Sequence, residues 1–457
     1  MVFSSLEFIF YFLPVFLMLY YAAPKTWRNG ILFIGSICFY AMGEPRYVLL
    51  LMASIVINYL VGRGIFASTG GLRRFCFLAG LLFDIGLLVF FKYNWVLEES
   101  VLLPGFLTGM PLGISFYSFQ IISYLVDVYV KKTPAEKSVI TLGTYLCMFP
   151  QLIAGPIVTY PAIAWELQDR KLTLEKMEDG LHIFVLGLAS KVLLANRIGI
   201  LWHQVETIGF DAISTPLAWM GAFAFSFQLY FDFLGYSLMA IGLGKMLGFH
   251  LPANFNNPYM AKSMTEFWEK WHITLGTWFR DYVYIPLGGN RKGTVRTIRN
   301  LLVVWMLTGI WHGASLNFVL WGLFLFICIV LEKFVWKATL ENVPVLGHLY
   351  MLFLIPVSWM LFAITEMDQI VLYFSRLFPF GGWTGSAYHN ALDFVTYLQQ
   401  YGVLFLLCFL FSTTALQSVY QKYKNSILMS VVLLGLFWLS VYYLKTAENN
   451  PFLYYRF

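Results

Sequence analysis

The chain has 457 residues, 59% of them apolar and only 12% charged, with a mean hydropathy of +0.70. A soluble globular protein carries about 25% charged residues, so composition excludes both a soluble enzyme and a disordered chain. The formal charge of +6 matters through its placement in loops rather than as a signal for nucleic acid.

At roughly 20 residues per crossing, the apolar content predicts an all-α polytopic membrane protein with about 11–12 transmembrane helices. Apolar runs fall at 6–23, 29–42, 47–62, 75–92, 111–130, 180–204, 216–247, 300–312, 315–332, 348–373, 401–420 and 426–445. No basic region precedes Leu6 to Ala23, so the first run reads as a span and not as a cleaved signal. Lys25 and Arg28, Arg63 with Arg73 and Arg74, Lys131 with Lys132 and Lys137, and Lys422 with Lys424 occupy alternate breaks. The positive-inside bias then puts these loops in the cytoplasm and both termini outside. The chain is expected to form one integral membrane domain, 1–457, with an extracytoplasmic tail at 446–457.

Two segments do not read as simple crossings. Residues 138–161 are apolar but interrupted by Gly143, Pro150, Gly155, Pro156 and Pro161. Broken backbone survives at membrane depth only inside protein or beside water, and a re-entrant element is the expected form. In 263–291, a continuous helix would gather Trp268, Trp271, Leu275, Trp278 and Tyr282 within about 80°. Ser263 with Glu266 supplies a capping-box start, and an interfacial amphipathic helix is the expectation. No internal repeat of the inverted-transporter kind is visible.

The five cysteines stand apart in apolar runs with no CxxC pair and no Cys/His ligand spacing, so neither a disulfide framework nor a metal site is expected. A Walker loop, a GxSxG elbow and an HExxH helix are all missing from the sequence. Ionisable groups inside apolar runs are functional candidates. His312 stands at the junction of 300–312 and 315–332, between Trp311 and Gly313. Thirteen residues rise about 20 Å, so a helix starting in a basic loop would end within the hydrocarbon. His312 is therefore either an acid/base group beside a substrate or a neutral histidine bonded to a neighbouring helix. His272, on the flank of the tryptophan stripe, faces either a shared cavity or headgroups. Asp84, Asp127, Gln228, Tyr230 and Asp232 read as helix-to-helix hydrogen-bond partners. Arg291, Lys292, Arg296 and Arg299 either attract a phosphorylated cytosolic donor or reflect the positive-inside bias.

The stretch FWEKWHITLGTWFRDYVYIPLGGNRKG followed by WHGASLNFVLWG, with the opening MVFSSLEFIFYFLP and the segment FPQLIAGPI, resembles the membrane-bound O-acyltransferase superfamily. The resemblance is closest to its bacterial polysaccharide branch and covers essentially the whole chain. It implies a ring of helices around a central funnel or tunnel in a bacterial plasma membrane. It further implies His312 as the catalytic residue, with His272 as a second site residue. The implied activity takes an acyl group, usually acetyl, from a cytosolic thioester such as acetyl-CoA to an extracytoplasmic polysaccharide, with an esterase-like partner protein and no resident cofactor. The ending Phe452, Tyr454, Phe457 resembles an FxYxxF ending of a small membrane partner in teichoic-acid D-alanylation, in which the tyrosine is thought to accept the acyl group. Tyr454 is thus either an acyl relay or an aromatic anchor at the interface. Carrier-linked D-alanyl or lipid and protein acyl transfer, and a polysaccharide-precursor transporter, are the rival expectations.

Overall fold

The computed structural model describes residues 2–93, 109–379, 392–446 and 452–453. Within them the regular structure is helical, and β pairing is confined to one isolated bridge, Phe255 with Trp271. Among the described residues, eight helices are long and apolar enough to cross a membrane, including Gly70–Tyr93, Leu174–Ile208, Thr215–Met246 and Ile427–Thr446. The protein is thus an all-α polytopic membrane protein. The remaining apolar runs make shorter helices, such as Arg28–Gly43 and Ile114–Tyr129, or one that opens with arginines, Thr294–His312.

Several helix limits differ from the apolar runs. Run 348–373 is two helices, Pro344–Ala363 and Met367–Leu377. Run 401–420 likewise divides into Asp393–Phe411 and Thr414–Tyr423. The 300–312 run belongs to a helix that starts six residues earlier, at Thr294. Its 19 residues rise about 28 Å at 1.5 Å per residue, so a short helix ending at mid-depth is not what places His312.

The chain forms two compact units. The first comprises Met1–Gly187 and Tyr236–Ala253 with 444–446, the second Leu188–Gly235 and Asn254–Tyr443 with 452–453.

In the first unit, 138–161 is broken as its prolines and glycines require. Helix Val139–Cys147 is followed by the single turn Phe149–Leu152 and then by irregular backbone. The groups freed from helical bonding are met by side chains. Ser36 Oγ accepts from Phe149 N at 3.1 Å, Tyr145 Oη donates to Val158 O at 2.8 Å, and Gln151 Nε2 donates to Tyr145 O. Residues 142–158 are buried throughout, the one environment in which such backbone is tolerated at membrane depth. Cys147 is wholly buried there, which suits packing. Asp84 is held by Asn58 Nδ2 at 2.9 Å, a helix-to-helix bond as expected. Asp127 pairs with Lys132 at 3.3 Å, five residues along the same stretch of chain.

In the second unit, Thr294–His312 and Leu316–Leu331 pack through glycines. A Cβ on Gly309 would stand 2.4 Å from Phe318 O, and one on Gly322 would stand 2.6 Å from Trp305 O. Backbone meets backbone at these points, and neither neighbour can yield as a side chain could. Gly309→Ala is therefore expected to lower stability by about 1–3 kcal/mol through overpacking. The check is the thermal unfolding midpoint in detergent, and an unchanged midpoint would contradict the packing.

Candidate functional site

The continuous amphipathic helix expected over 263–291 is replaced by two short helices, Met264–Lys270 and Ile273–Phe279, followed by a wider turn, Arg280–Tyr284. The start is as expected: Ser263 Oγ accepts from Glu266 N at 3.0 Å. Glu266 turns its carboxylate to Lys262 N at 2.8 Å rather than back to the cap residue. The buried Glu332 also binds Met264 N at 2.5 Å and Thr265 N at 2.9 Å, placing a carboxylate on the orphan donors of the first turn.

The break falls on His272, whose φ of 45° and ψ of 52° are left-handed. A non-glycine residue held there stores about 1–3 kcal/mol of strain and persists only where its surroundings fix it. Here the fixing partner is the segment 254–256. Ile273 N donates to Asn254 O and Asn256 N to Lys270 O, both at 3.0 Å. A pattern count at 100° per residue presumes an unbroken helix, so it misplaces everything beyond residue 271. Trp271, Leu275 and Trp278 are 4%, 5% and 7% exposed, and they pack on protein instead of lining an outer stripe.

Asn254 decides the chemistry of His272. Its Oδ1 lies 3.1 Å from His272 Nδ1, 2.9 Å from Thr274 Oγ1 and 3.3 Å from Thr274 N. A backbone N–H can only donate, so the Asn254 atom at this point is the carbonyl oxygen. That oxygen in turn only accepts, so Nδ1 of His272 carries the proton and Nε2 carries the lone pair. The ring is 3% exposed and lies outside the eight candidate spans. Burial holds its pKa down, to about 3. His272 is therefore a neutral imidazole whose Nε2 is an acceptor.

His312 ends helix Thr294–His312 and is 7% exposed. Its ring meets Trp321 at 5.1 Å and 90°, and Phe362 at 5.0 Å and 83°, edge-to-face arrangements that favour a fixed ring. Gly313 is needed for space, since a Cβ there would lie 2.2 Å from the Phe318 ring. Its φ of −174° is ordinary extended backbone.

The two histidines stand at two ends of one aromatic cluster. His272 packs on Phe233 at 4.8 Å, and Phe233 reaches Trp271 at 6.5 Å. Trp271 meets Trp359 at 5.0 Å, Trp359 meets Trp321 at 6.1 Å, and Trp321 meets His312. The Trp321 indole N–H, wholly buried, finds no acceptor among the described residues.

Arg291 and Lys292 are exposed in the loop before Thr294, and Arg296 is exposed in the first turn of the helix that follows. Arg299 differs: its guanidinium bonds Asn300 Oδ1 at 2.8 Å and Leu287 O at 3.3 Å, so it pins this loop. Tyr454 lies outside the described residues. Asp232 bonds Lys191, a helix-to-helix pair as expected of Asp232. Sequence reasoning passed over Lys191, Asn254 and Glu332. Lys191 was recoverable, because it and Arg197 carry the only full charges in the run 180–204. Nothing local marks Asn254 out from Asn256 and Asn257. Among the described residues no group of His, Cys, Asp and Glu could hold a metal ion.

Comparison with known proteins matches residues 134–345, which include both histidines, to the family described as MBOAT, membrane-bound O-acyltransferase family. The chain is 38% identical over 425 residues to the "Probable alginate O-acetylase AlgI" of Azotobacter vinelandii, covering 88% of this chain and 84% of that protein. It is 34% identical to the protein of the same description in Pseudomonas putida, over 100% of both chains. Similarity extends to the "Peptidoglycan O-acetyltransferase" of Helicobacter pylori, 37% identical over 71% of this chain and 68% of that one.

Proposed function

From the premise that this chain belongs to the membrane-bound O-acyltransferase family and is a multi-pass membrane acyltransferase, we propose that it carries acetyl groups from a cytosolic thioester to an extracytoplasmic polysaccharide. The observation that carries this reading is the pair of histidines on one aromatic cluster, one of them with its tautomer fixed.

In the proposed reaction an attacking hydroxyl loses its proton to His312 while its oxygen bonds the thioester carbonyl carbon. The carbon–sulfur bond then breaks, and the proton passes to the leaving thiolate. Such proton transfer contributes about 10²–10⁴-fold. The hydroxyl belongs to Tyr454 or directly to the acceptor. His272 was a candidate to hydrogen-bond the developing oxyanion. With the proton on Nδ1 and the ring neutral, its Nε2 cannot donate, so we assign it instead to accepting a hydrogen bond and orienting the hydroxyl, with proton removal left to His312. The donor to the carbonyl oxygen is then the buried Trp321 N–H beside His312.

Arg291, Lys292 and Arg296 would meet the phosphates of acetyl-CoA at the cytoplasmic face, with Arg299 shaping the loop that presents them. Both termini lie outside the bacterial plasma membrane in this reading, residues 138–161 re-enter, and an esterase-like partner receives the acetyl group. The test uses the purified protein with acetyl-CoA radiolabelled in the acetyl group. Release of free CoA, with label reaching the protein or an added polysaccharide, is the expected result. Turnover only with an acyl group supplied on a carrier protein would replace acetyl by a carrier-linked group such as D-alanyl. Movement of a lipid-linked sugar with no acyl turnover would overturn the enzymatic reading.

A further inference from the structure

A buried ion pair in the second unit takes a third partner from the far end of the chain. Lys191 Nζ lies 2.5 Å from Asp232 Oδ1, with the two side chains 5% and 2% exposed. Lys191 is the central residue of Leu174–Ile208, and Asp232 stands within two residues of the midpoint of Thr215–Met246. Both helices are long enough to cross a membrane, and charges retained at such depth pair with one another. Lys191 also stands in the widened turn Ser190–Ala195, a local helix distortion found often at functional sites.

The pair alone would suffice to join two helices. Asp232 does more, because its second oxygen, Oδ2, accepts from the backbone N–H of Leu453 at 2.7 Å. Phe452 is 2% exposed and its ring lies 6.2 Å from that of Phe233, the residue after Asp232. Phe233 is also the ring that meets His272 at 4.8 Å. An aromatic tail is stable at the membrane interface, where its backbone stays wet. Carrying its backbone to the middle of two spanning helices requires an acceptor there for each amide, and Asp232 supplies one.

We propose that the Lys191–Asp232 pair is a docking site for the C-terminal tail, and that both residues act as positioning residues that hold the tail at the His272 end of the aromatic cluster. The carboxylate is tethered by the ammonium on one oxygen and presents the other to a peptide N–H, so recognition is of backbone rather than side chain. Tyr454 follows Leu453 directly, so the functional value of docking rests on the reading that Tyr454 takes part in acyl transfer.

Hydrogen exchange of the full chain in nanodiscs, read by mass spectrometry of the C-terminal peptide, tests the docking, with acetyl transfer measured on the same preparations. Leu453→Pro removes the one donor and leaves the ion pair untouched. It is expected to speed exchange of the neighbouring tail amides about tenfold and to cut transfer about a hundredfold. Leu453→Ala keeps the N–H and should restore both. The double change Lys191→Met with Asp232→Leu, which leaves no orphaned charge, should release the tail in the same way. A tail that exchanges equally fast in the wild type and in Leu453→Pro, or a released tail with unchanged transfer, overturns the proposal. Tyr454→Phe separates the two ideas. Loss of transfer with the tail still protected supports relay and docking together, whereas full turnover with the tail protected removes the relay and leaves the docking site standing.

Discussion

His312→Ala is expected to abolish acetyl transfer, by about 10²–10⁴-fold or more, while the protein still inserts and purifies as a folded species. The imidazole is buried at the end of Thr294–His312 with its edges set against Trp321 and Phe362. Alanine removes the proposed proton acceptor and leaves the glycine contact at Gly309 and Gly322 that holds the two helices together. The measurement is the rate of CoA release from acetyl-CoA beside an unfolding midpoint in detergent. Activity near the wild-type rate with a normal midpoint would reduce His312 to a packing residue. A large drop in the midpoint calls for His312→Gln, which keeps more of the side-chain volume, and a stable but inactive Gln variant restores the assignment.

His272→Asn is expected to cut transfer by about 10²-fold with little change in stability. Asparagine tolerates the left-handed backbone that residue 272 adopts. Its side-chain amide can donate to Asn254 Oδ1 in place of Nδ1. The variant therefore keeps the break between the two short helices and the bond that fixes it, and loses only the Nε2 acceptor. His272→Ala lacks these safeguards and would mix loss of chemistry with loss of the bend. If His272→Asn turns over normally, the histidine serves to bend the chain and its role in orienting the hydroxyl falls. A variant that is inactive and also unfolded would point to the ring packing on Phe233 as the larger part of its role.

The sequence made His312 legible because a polar ring between two apolar runs, followed by a glycine, breaks the local pattern, although the depth inferred for it rested on a helix start six residues too late. It also named His272 but put it on the flank of a helix. No propensity of the residues 263–291 signals a left-handed residue at 272, since the conformation is imposed by Asn254 and Asn256 from another part of the chain. Asn254 itself was invisible for the same reason. Lys191 was legible under the rule that drew attention to Asp232, but the pairing of the two was not, because they sit on separate helices. The cations at 291–299 read alike in sequence. The structure separates them: all four are exposed, but Arg299 is engaged with Leu287 and Asn300.

The amino-acid sequence by itself determined the class of the molecule. Apolar content of 59% with 12% charge leaves only helices able to satisfy their own backbone in lipid. The prolines and glycines of 138–161 likewise dictate a broken, protein-buried segment. What tertiary structure decided is which polar groups meet. The proton on His272 is placed by an oxygen 18 residues away, and the amide of Leu453 is held by a carboxylate 221 residues away. Hydrogen bonds of that reach depend on how helices pack, and no period of 3.6 residues encodes them.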